Sequence, residues 1–306
     1  MHSRATHWLK IELPAAAGSV EDLSEALAQC GALAVSIEGG DADAVFEQQP
    51  RAPDFWPRSR VSGLFPASVD VAAVIKQIEH YTGDTVAYRI EHVPDRPWQS
   101  AWRESCKPMC FGERLWICPA DLAPPTTTGA VTVRIDPGLA FGTGTHATTA
   151  LCLDWLAAHA CEDKTVIDYG CGSGILAIAA LKLGAKFAYG VDIDGRALQV
   201  SADNARRNDV SERYRALMPR VLPGEVSADI VFANILARPL IELAPELRRR
   251  VNPHGVLLLT GLLANQVEAV YPHYAPAFSL QTHFREDNDH EHCWALLVGH
   301  KAHVGD

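Results

Sequence analysis

The chain has 306 residues, 48% apolar and 21% charged, and 27 basic against 37 acidic side chains leave a formal charge of −10. A length of this order predicts two compact cores, at about 150 residues per domain. The composition excludes a disordered or fibrous chain, and the acidic balance disfavours a protein that grips phosphate backbone while suiting a basic partner.

Residues 1–18 carry Lys10 and Glu12 inside their short apolar stretch, so they lack the uninterrupted core of a secretory signal and a cytoplasmic location is expected. No apolar run approaches the ~18 residues needed to cross a bilayer; the one at 256–264 is broken by Thr260 and Gly261. The eight cysteines contain no C-x-x-C pair and read as reduced core residues, neither a disulfide frame nor a zinc site.

Residues 8–13 alternate, with Leu9, Ile11 and Leu13 on one face and Lys10 and Glu12 on the other, which predicts a half-buried strand. Ser19 is placed to N-cap a helix whose Leu23, Ala26, Leu27 and Cys30 recur at i, i+3, i+4 and i+7. Residues 33–37 and 61–65 read as strands. A second helix is expected to open at Ser68, carry Val71, Val74, Ile75 and Ile78 on one stripe, and stop near Gly83, ahead of a strand over 86–93. This β-α-β-β-α-β order predicts a ferredoxin-like α+β domain over residues 1–94. Pro94 and Pro97 mark its end, and Trp98 and Trp102, four apart on a short predicted helix, open a structured linker over 95–122.

The third segment, 123–306, alternates strand and helix, which predicts a Rossmann-like α/β domain with a parallel sheet covered on both faces. Strands are expected over 165–168, 188–192, 230–233 and 256–260. Helices are expected over 175–183, capped by Gly184, over 195–208, and from Pro239 with a break at Pro245. Residues 279–300 read as two antiparallel strands around a polar turn.

The strongest motif is Asp168-Tyr169-Gly170-Cys171-Gly172-Ser173-Gly174, a strand running into a glycine loop that opens a helix. Such a loop lets backbone approach a ligand and aims helix N-terminal amides at it. A dinucleotide site would place a glycine three residues after Gly172, where Ile175 stands. The tighter D-x-G-x-G-x-G form suits a ligand with a cationic amino-acid head, which Asp168 would serve. Asp192, at the end of the next strand, is placed to accept both hydroxyls of a ribose. S-adenosylmethionine is the ligand these features imply. Asn234, at the carboxyl end of a further strand, can offer its amide oxygen to a substrate N–H or to the cofactor, and is the one candidate catalytic residue, in an orienting role. It is followed by Ile235 and Leu236 rather than by two prolines and an aromatic, which disfavours planar-nitrogen substrates. The glycine-punctuated stretch 136–149 reads as a lid over the cofactor, with Phe141 and Gly142 as cofactor contacts, Phe141 and His146 excluding water, and Thr148 and Thr149 starting a helix.

These stretches, together with 112–119, 190–194 and 229–236, resemble the ribosomal protein L11 methyltransferase (PrmA) family over essentially the whole chain. The resemblance implies a class I methyltransferase domain behind a ferredoxin-like substrate-recognition domain. It also implies trimethylation of the α-amine and lysine ε-amines of that ribosomal protein, and cofactor contacts from Thr149, Gly170, Asp192 and Asn234. The chain departs from the pattern at residues 214–218, where no carboxylate is available for adenine, leaving backbone groups for that role. His290, His292 and Cys293 lack a fourth metal ligand and read as a solvated turn. The expectation is therefore a monomeric methyltransferase without metal, stable nucleic-acid binding or membrane attachment. Action on another protein, RNA or a small amine stays open as the alternative.

Overall fold

In the computed structural model, which describes residues 7–39, 58–94, 107–123, 128–136, 146–287 and 292–301, the N-terminal alternation becomes strand β1 (His7–Ala16). It is followed by α1 (Val20–Gln29), β2 (Ala34–Gly39), β3 (Arg58–Pro66), α2 (Val71–Thr82) and β4 (Arg89–Pro94). The strands pair antiparallel in the order β2-β3-β1-β4, the ferredoxin-like arrangement. Ile11, Leu13, Val61 and Phe65 turn inward against Leu23, Leu27, Val74 and Ile78, and each such burial stabilises by about 1.5–3 kcal/mol. A Cβ at Gly63 would lie 2.8 Å from the Phe65 ring and 2.9 Å from Leu27, so the missing side chain lets α1 approach the sheet.

Both helix starts differ from expectation. The Ser19 hydroxyl donates to the Ala16 carbonyl, closing a turn of 3-10 helix instead of capping α1. Asp70, not Ser68, caps α2, its carboxylate accepting the Ala73 amide at 3.2 Å, while Gly83 closes the helix at φ 78°. Val86 is not yet strand; its amide donates to the Glu79 carboxylate.

The chain divides into two units, residues 1–102 and 103–306. Within the second, part of the segment expected as linker is sheet: β5 (Met109–Phe111) and β6 (Leu115–Pro119) join β7 (Val131–Ile135) in three strands, with Leu115, Ile117, Val133 and Ile135 buried on the unit's core. Trp98 and Trp102 lie outside the described residues. A seven-stranded sheet follows, built from β8 (Thr165–Tyr169), β9 (Phe187–Val191), β10 (Tyr214–Leu217), β11 (Ala228–Asn234), β12 (Val251–Leu263), β13 (Phe278–Glu286) and β14 (Cys293–Lys301). Its order is β10-β9-β8-β11-β12-β14-β13, parallel except where β14 runs against both neighbours.

Alternation assigns successive residues of each strand to two cores. Val166, Ile230, Phe232 and Leu258 face α3 (Ala147–Ala158) and α4 (Ile175–Lys182), and α5 (Gly195–Arg207) packs on the same side. Ile167, Val231, Leu257 and Leu259 face α6 (Ala237–Glu242), α7 (Ala244–Arg249) and α8 (Val267–Val270). Residues 175–181 of α4 are all buried, which is why that helix is apolar on every side. The expected break near Pro245 falls at Leu243, with Pro245 in the first turn of α7, where a missing amide costs nothing.

Two polar groups set the lower edge of the sheet. The Asp229 carboxylate accepts from the Thr165 amide at 2.9 Å and from Asn252 Nδ2 at 3.0 Å, aligning β8, β11 and β12. The buried Arg250 guanidinium donates to Glu246 at 2.7 Å and to the carbonyls of Pro223 and Val226, holding the loop that enters β11. The upper edge opens where the order reverses, between β8 and β11, the switch point at which parallel sheets bind ligands. Among the described residues no helix is long and apolar enough to cross a membrane.

Candidate functional site

At the switch point, β8 ends in three alternate glycines, Gly170, Gly172 and Gly174, with φ of 83°, 53° and 79°. This left-handed run disfavours any side chain. Space closes the matter for two of them: a Cβ on Gly170 would lie 2.3 Å from Ile235 Cγ2, and one on Gly174 2.9 Å from Ser201 Cβ. The amides of Gly170 and Cys171 both donate to the Val191 carbonyl, at 2.7 and 3.0 Å, and the Gly174 amide donates to Cys171 at 2.7 Å. The loop is thus clamped to the end of β9 before α4 begins.

Asp192 follows Val191 at that end. Its Oδ2 accepts the Gly172 amide at 2.9 Å and its Oδ1 the Asp194 amide at 3.0 Å. Its own amide donates to the Leu217 carbonyl at the end of β10. The side chain is half-buried, and the next residue, Ile193, is 84% exposed. Asp168 lies deeper, 1% exposed, where its Oδ2 accepts the Ala177 amide in the first turn of α4. Burial pushes its pKa up to about 7; the Ala177 amide counters this, and the negative charge of Asp192 adds to it. The carboxylate expected to serve a ligand's ammonium group therefore caps the helix that carries the loop.

Thr149 and Asn234, 85 positions apart in sequence, meet beside the loop: Asn234 Nδ2 donates to Thr149 Oγ1 at 3.3 Å. Thr149 is buried in the first turn of α3 and Asn234 ends β11. His146 N-caps α3, with Nδ1 2.8 Å from Thr148 Oγ1 and its ring edge-on to Trp294 at 4.6 Å. Burial lowers its pKa and Asp287 opposes that shift. Phe141 and Gly142 lie outside the described residues, with the rest of 137–145. So does His290; His292 bonds Asp287 at 3.0 Å, and Cys293 is exposed.

Sequence reasoning passed over three groups around the site. Tyr214 fills the space beneath the loop: its hydroxyl lies 3.8 Å from Cys171 Sγ and 1.8 Å from where a Cβ on Gly190 would be. The legible signal was Gly190 itself, a glycine inside a strand. Asn204 and Asn208 were legible as amides at helical spacing with buried Ala197, Ser201 and Ala205. Ile193 was legible only as an apolar residue between two aspartates.

A family model described as ribosomal protein L11 methyltransferase (PrmA) matches residues 7–301. The chain belongs to the ribosomal protein L11 methyltransferase family. A ribosomal protein L11 methyltransferase of Klebsiella pneumoniae (strain 342) is 46% identical over 296 residues, covering 96% of this chain and 99% of that one. One from Escherichia coli O8 (strain IAI1) is 45% identical over the same share of each. The crystal structure of a ribosomal protein L11 methylase from Lactobacillus delbrueckii subsp. bulgaricus superposes with a TM-score of 0.56 at 30% identity, covering 64% of this chain and 99% of that one. The PrmA match takes in both units and every element that positions the site.

Proposed function

We propose that the chain transfers methyl groups from S-adenosylmethionine to amines of ribosomal protein L11, both the α-amine and lysine ε-amines, in the cytoplasm. The observation that carries this reading is identity of 46% with an L11 methyltransferase along 96% of the chain. The site fits the methyl donor on its own terms. Three left-handed glycines leave backbone bare at the head of β8, and Asp192 offers carboxylate oxygens at the adjoining strand end.

Gly170, Gly172 and Gly174 would pass the amino-acid end of the cofactor, Asp192 would accept its ribose hydroxyls, and Ile193 and the backbone at the end of β10 would cover its adenine. Phe141 and Gly142 belong to the segment that would close over it. Asp168 supports these contacts from beneath by capping α4. When bound, the cofactor supplies a methyl group on a sulfonium, so the chain's own task is chiefly to position.

Asn234 orients the incoming amine. With Nδ2 committed to Thr149, its Oδ1 is the atom left to accept an amine N–H. A lysine with a pKa near 10.4 must lose a proton before it can attack, and desolvation lowers that pKa because it penalises the charged form. His146, half-buried and with its pKa shifted downward, packs with Trp294 as part of the wall that excludes water. The N-terminal α+β unit, expected over 1–94, recognises the substrate, and the second unit, to which residues 109–119 contribute β5 and β6, holds the cofactor. The formal charge of −10 suits a lysine-bearing target.

The test incubates the full chain with methyl-labelled cofactor and a ribosomal protein mixture, then reads the labelled band and maps the modified amines by mass spectrometry. Label on L11 at the N-terminus and at lysines is expected. Label confined to RNA, to a small amine, or to another protein overturns the reading.

A further inference from the structure

Helix α5 reaches β7 through two asparagine side chains, and we propose that one of them, Asn204, is a positioning residue for the cofactor site. This rests on the reading of loop 170–174 as the cofactor's cradle. Among the described residues β7 is an edge strand, paired to β6 on one side only. On the other side Asn208 Oδ1 accepts the Arg134 amide and its Nδ2 donates to the Arg134 carbonyl, both at 2.7 Å. Asn204 repeats the pattern two residues along, accepting the Asp136 amide at 3.0 Å and donating to its carbonyl at 3.1 Å. A side-chain amide carries one peptide's worth of donor and acceptor, so the pair stands in for a neighbouring strand. The registers agree: four residues of helix advance about 6 Å and two of strand about 6.6 Å.

Asn204 does one thing that Asn208 does not. Its second N–H donates to the Ser173 carbonyl inside the glycine loop at 3.0 Å, and Oδ1 also accepts Arg207 Nη1 at 2.9 Å. All four hydrogen-bonding positions of the amide are used, on a side chain with no exposure. A single buried amide thus ties the loop whose Gly172 amide holds Asp192 to residue 136, from which the chain enters 137–145. Moving that amide moves the cradle, although Asn204 touches no ligand itself.

The test compares Asn204→Ala, Asn204→Asp and Asn208→Ala in the full chain. Affinity for S-adenosylhomocysteine is measured by calorimetry, steady-state kinetics give KM and kcat, and thermal melts report folding. The aspartate is isosteric and keeps the acceptor for the Asp136 amide, but sets an oxygen against the carbonyls of both Ser173 and Asp136. Both Asn204 variants should raise Kd and the cofactor's KM by about tenfold, with kcat at saturation within about threefold of the unaltered chain. Asn208→Ala loses its bonds to Arg134 and to the Asn204 carbonyl at 2.8 Å but none to the glycine loop, so it should lower Tm and leave Kd within about twofold. If Asn204→Ala fails to fold, Asn204→Asp decides. A folded Asn204→Asp with unaltered Kd, or an Asn208→Ala that raises Kd as much, overturns the proposal. Asp192→Ala, measured alongside, separates the two levels. A raised Kd there with unaltered Asn204 variants defeats this inference alone, whereas an unaltered Kd there defeats the cradle reading itself.

Discussion

Replacing Asp192 by asparagine should weaken binding of S-adenosylhomocysteine by about 10- to 100-fold, a magnitude that follows from how its carboxylate is used. Oδ2 accepts the Gly172 amide at 2.9 Å and Oδ1 the Asp194 amide at 3.0 Å, which occupies one lone pair on each oxygen and leaves one on each for a ribose hydroxyl. Asparagine keeps one oxygen and sets an NH2 group against the other backbone amide, donor against donor. One loop contact and one of two ribose acceptors are lost. A hydrogen bond to a charged group contributes about 1.5–3 kcal/mol, which corresponds to the stated loss of affinity. Alanine removes both acceptors and should cost more. Asp194→Ala is the control: its carboxylate caps α5 through the Arg196 amide at 2.8 Å, so it should destabilise by about 1 kcal/mol without changing Kd. Calorimetry gives Kd and a thermal melt gives stability for all three. Affinities for Asp192→Asn and Asp192→Ala within about twofold of the unaltered chain, or an equal loss in Asp194→Ala, would refute the ribose role.

Gly190→Ala puts a methyl group 1.8 Å from the Tyr214 hydroxyl and should destabilise by about 1–3 kcal/mol in thermal melts, with partial recovery in the Gly190→Ala/Tyr214→Phe double variant. No recovery would make the ring carbon Cζ, 2.6 Å from the same methyl and kept in phenylalanine, the governing obstacle. Asp168 titrates near 7 in the folded chain against 3.8 ordinarily, so the native state holds an extra proton between those values, and stability falls as pH rises through that window. Asp168→Asn keeps the acceptor for Ala177 and removes the titration. Its Tm should gain on the unaltered chain from about pH 5 to about pH 8, and a gap independent of pH would rule out burial as the cause. Thr149→Val frees the Asn234 amide to turn, so kcat/KM should fall about tenfold with little change in Tm, and Thr149→Ser should restore it. Full activity in the valine variant would show that Thr149 does not set the amide.

Much of the site was legible because its signals are local. A strand, a glycine loop and a helix are consecutive in the chain, so Gly170, Gly172, Gly174 and Asp192 could be named from spacing, and the structure gives all three glycines positive φ. Asn234 and Thr149 could each be named but not joined; their contact at 3.3 Å exists only because β11 pairs with β8 and α3 packs across the sheet. Asp168 shows the limit of spacing. Its place before the loop was plain, but its 1% exposure and its bond to the Ala177 amide follow only from the packing of α4 against the sheet. Helix caps and the extent of the linker went the same way: Asp70 competes with Ser68, and residues 115–119, paired locally with 109–111, find their other strand partner only at 131–135.

By itself, then, the sequence determined the two-part architecture, the order of elements outside 95–122, the class of ligand and the residues at two strand ends, because periodicity and turn chemistry act over a few neighbours. Tertiary structure alone decided which of those residues meet and what holds them. Asn204 spans from α5 to both β7 and the glycine loop, Tyr214 occupies the room that Gly190 leaves, and Arg250 secures the entry to β11. Each is a polar group buried far along the chain from its partners. Burial obliges such a group to find hydrogen bonds, but only the folded backbone decides where they are.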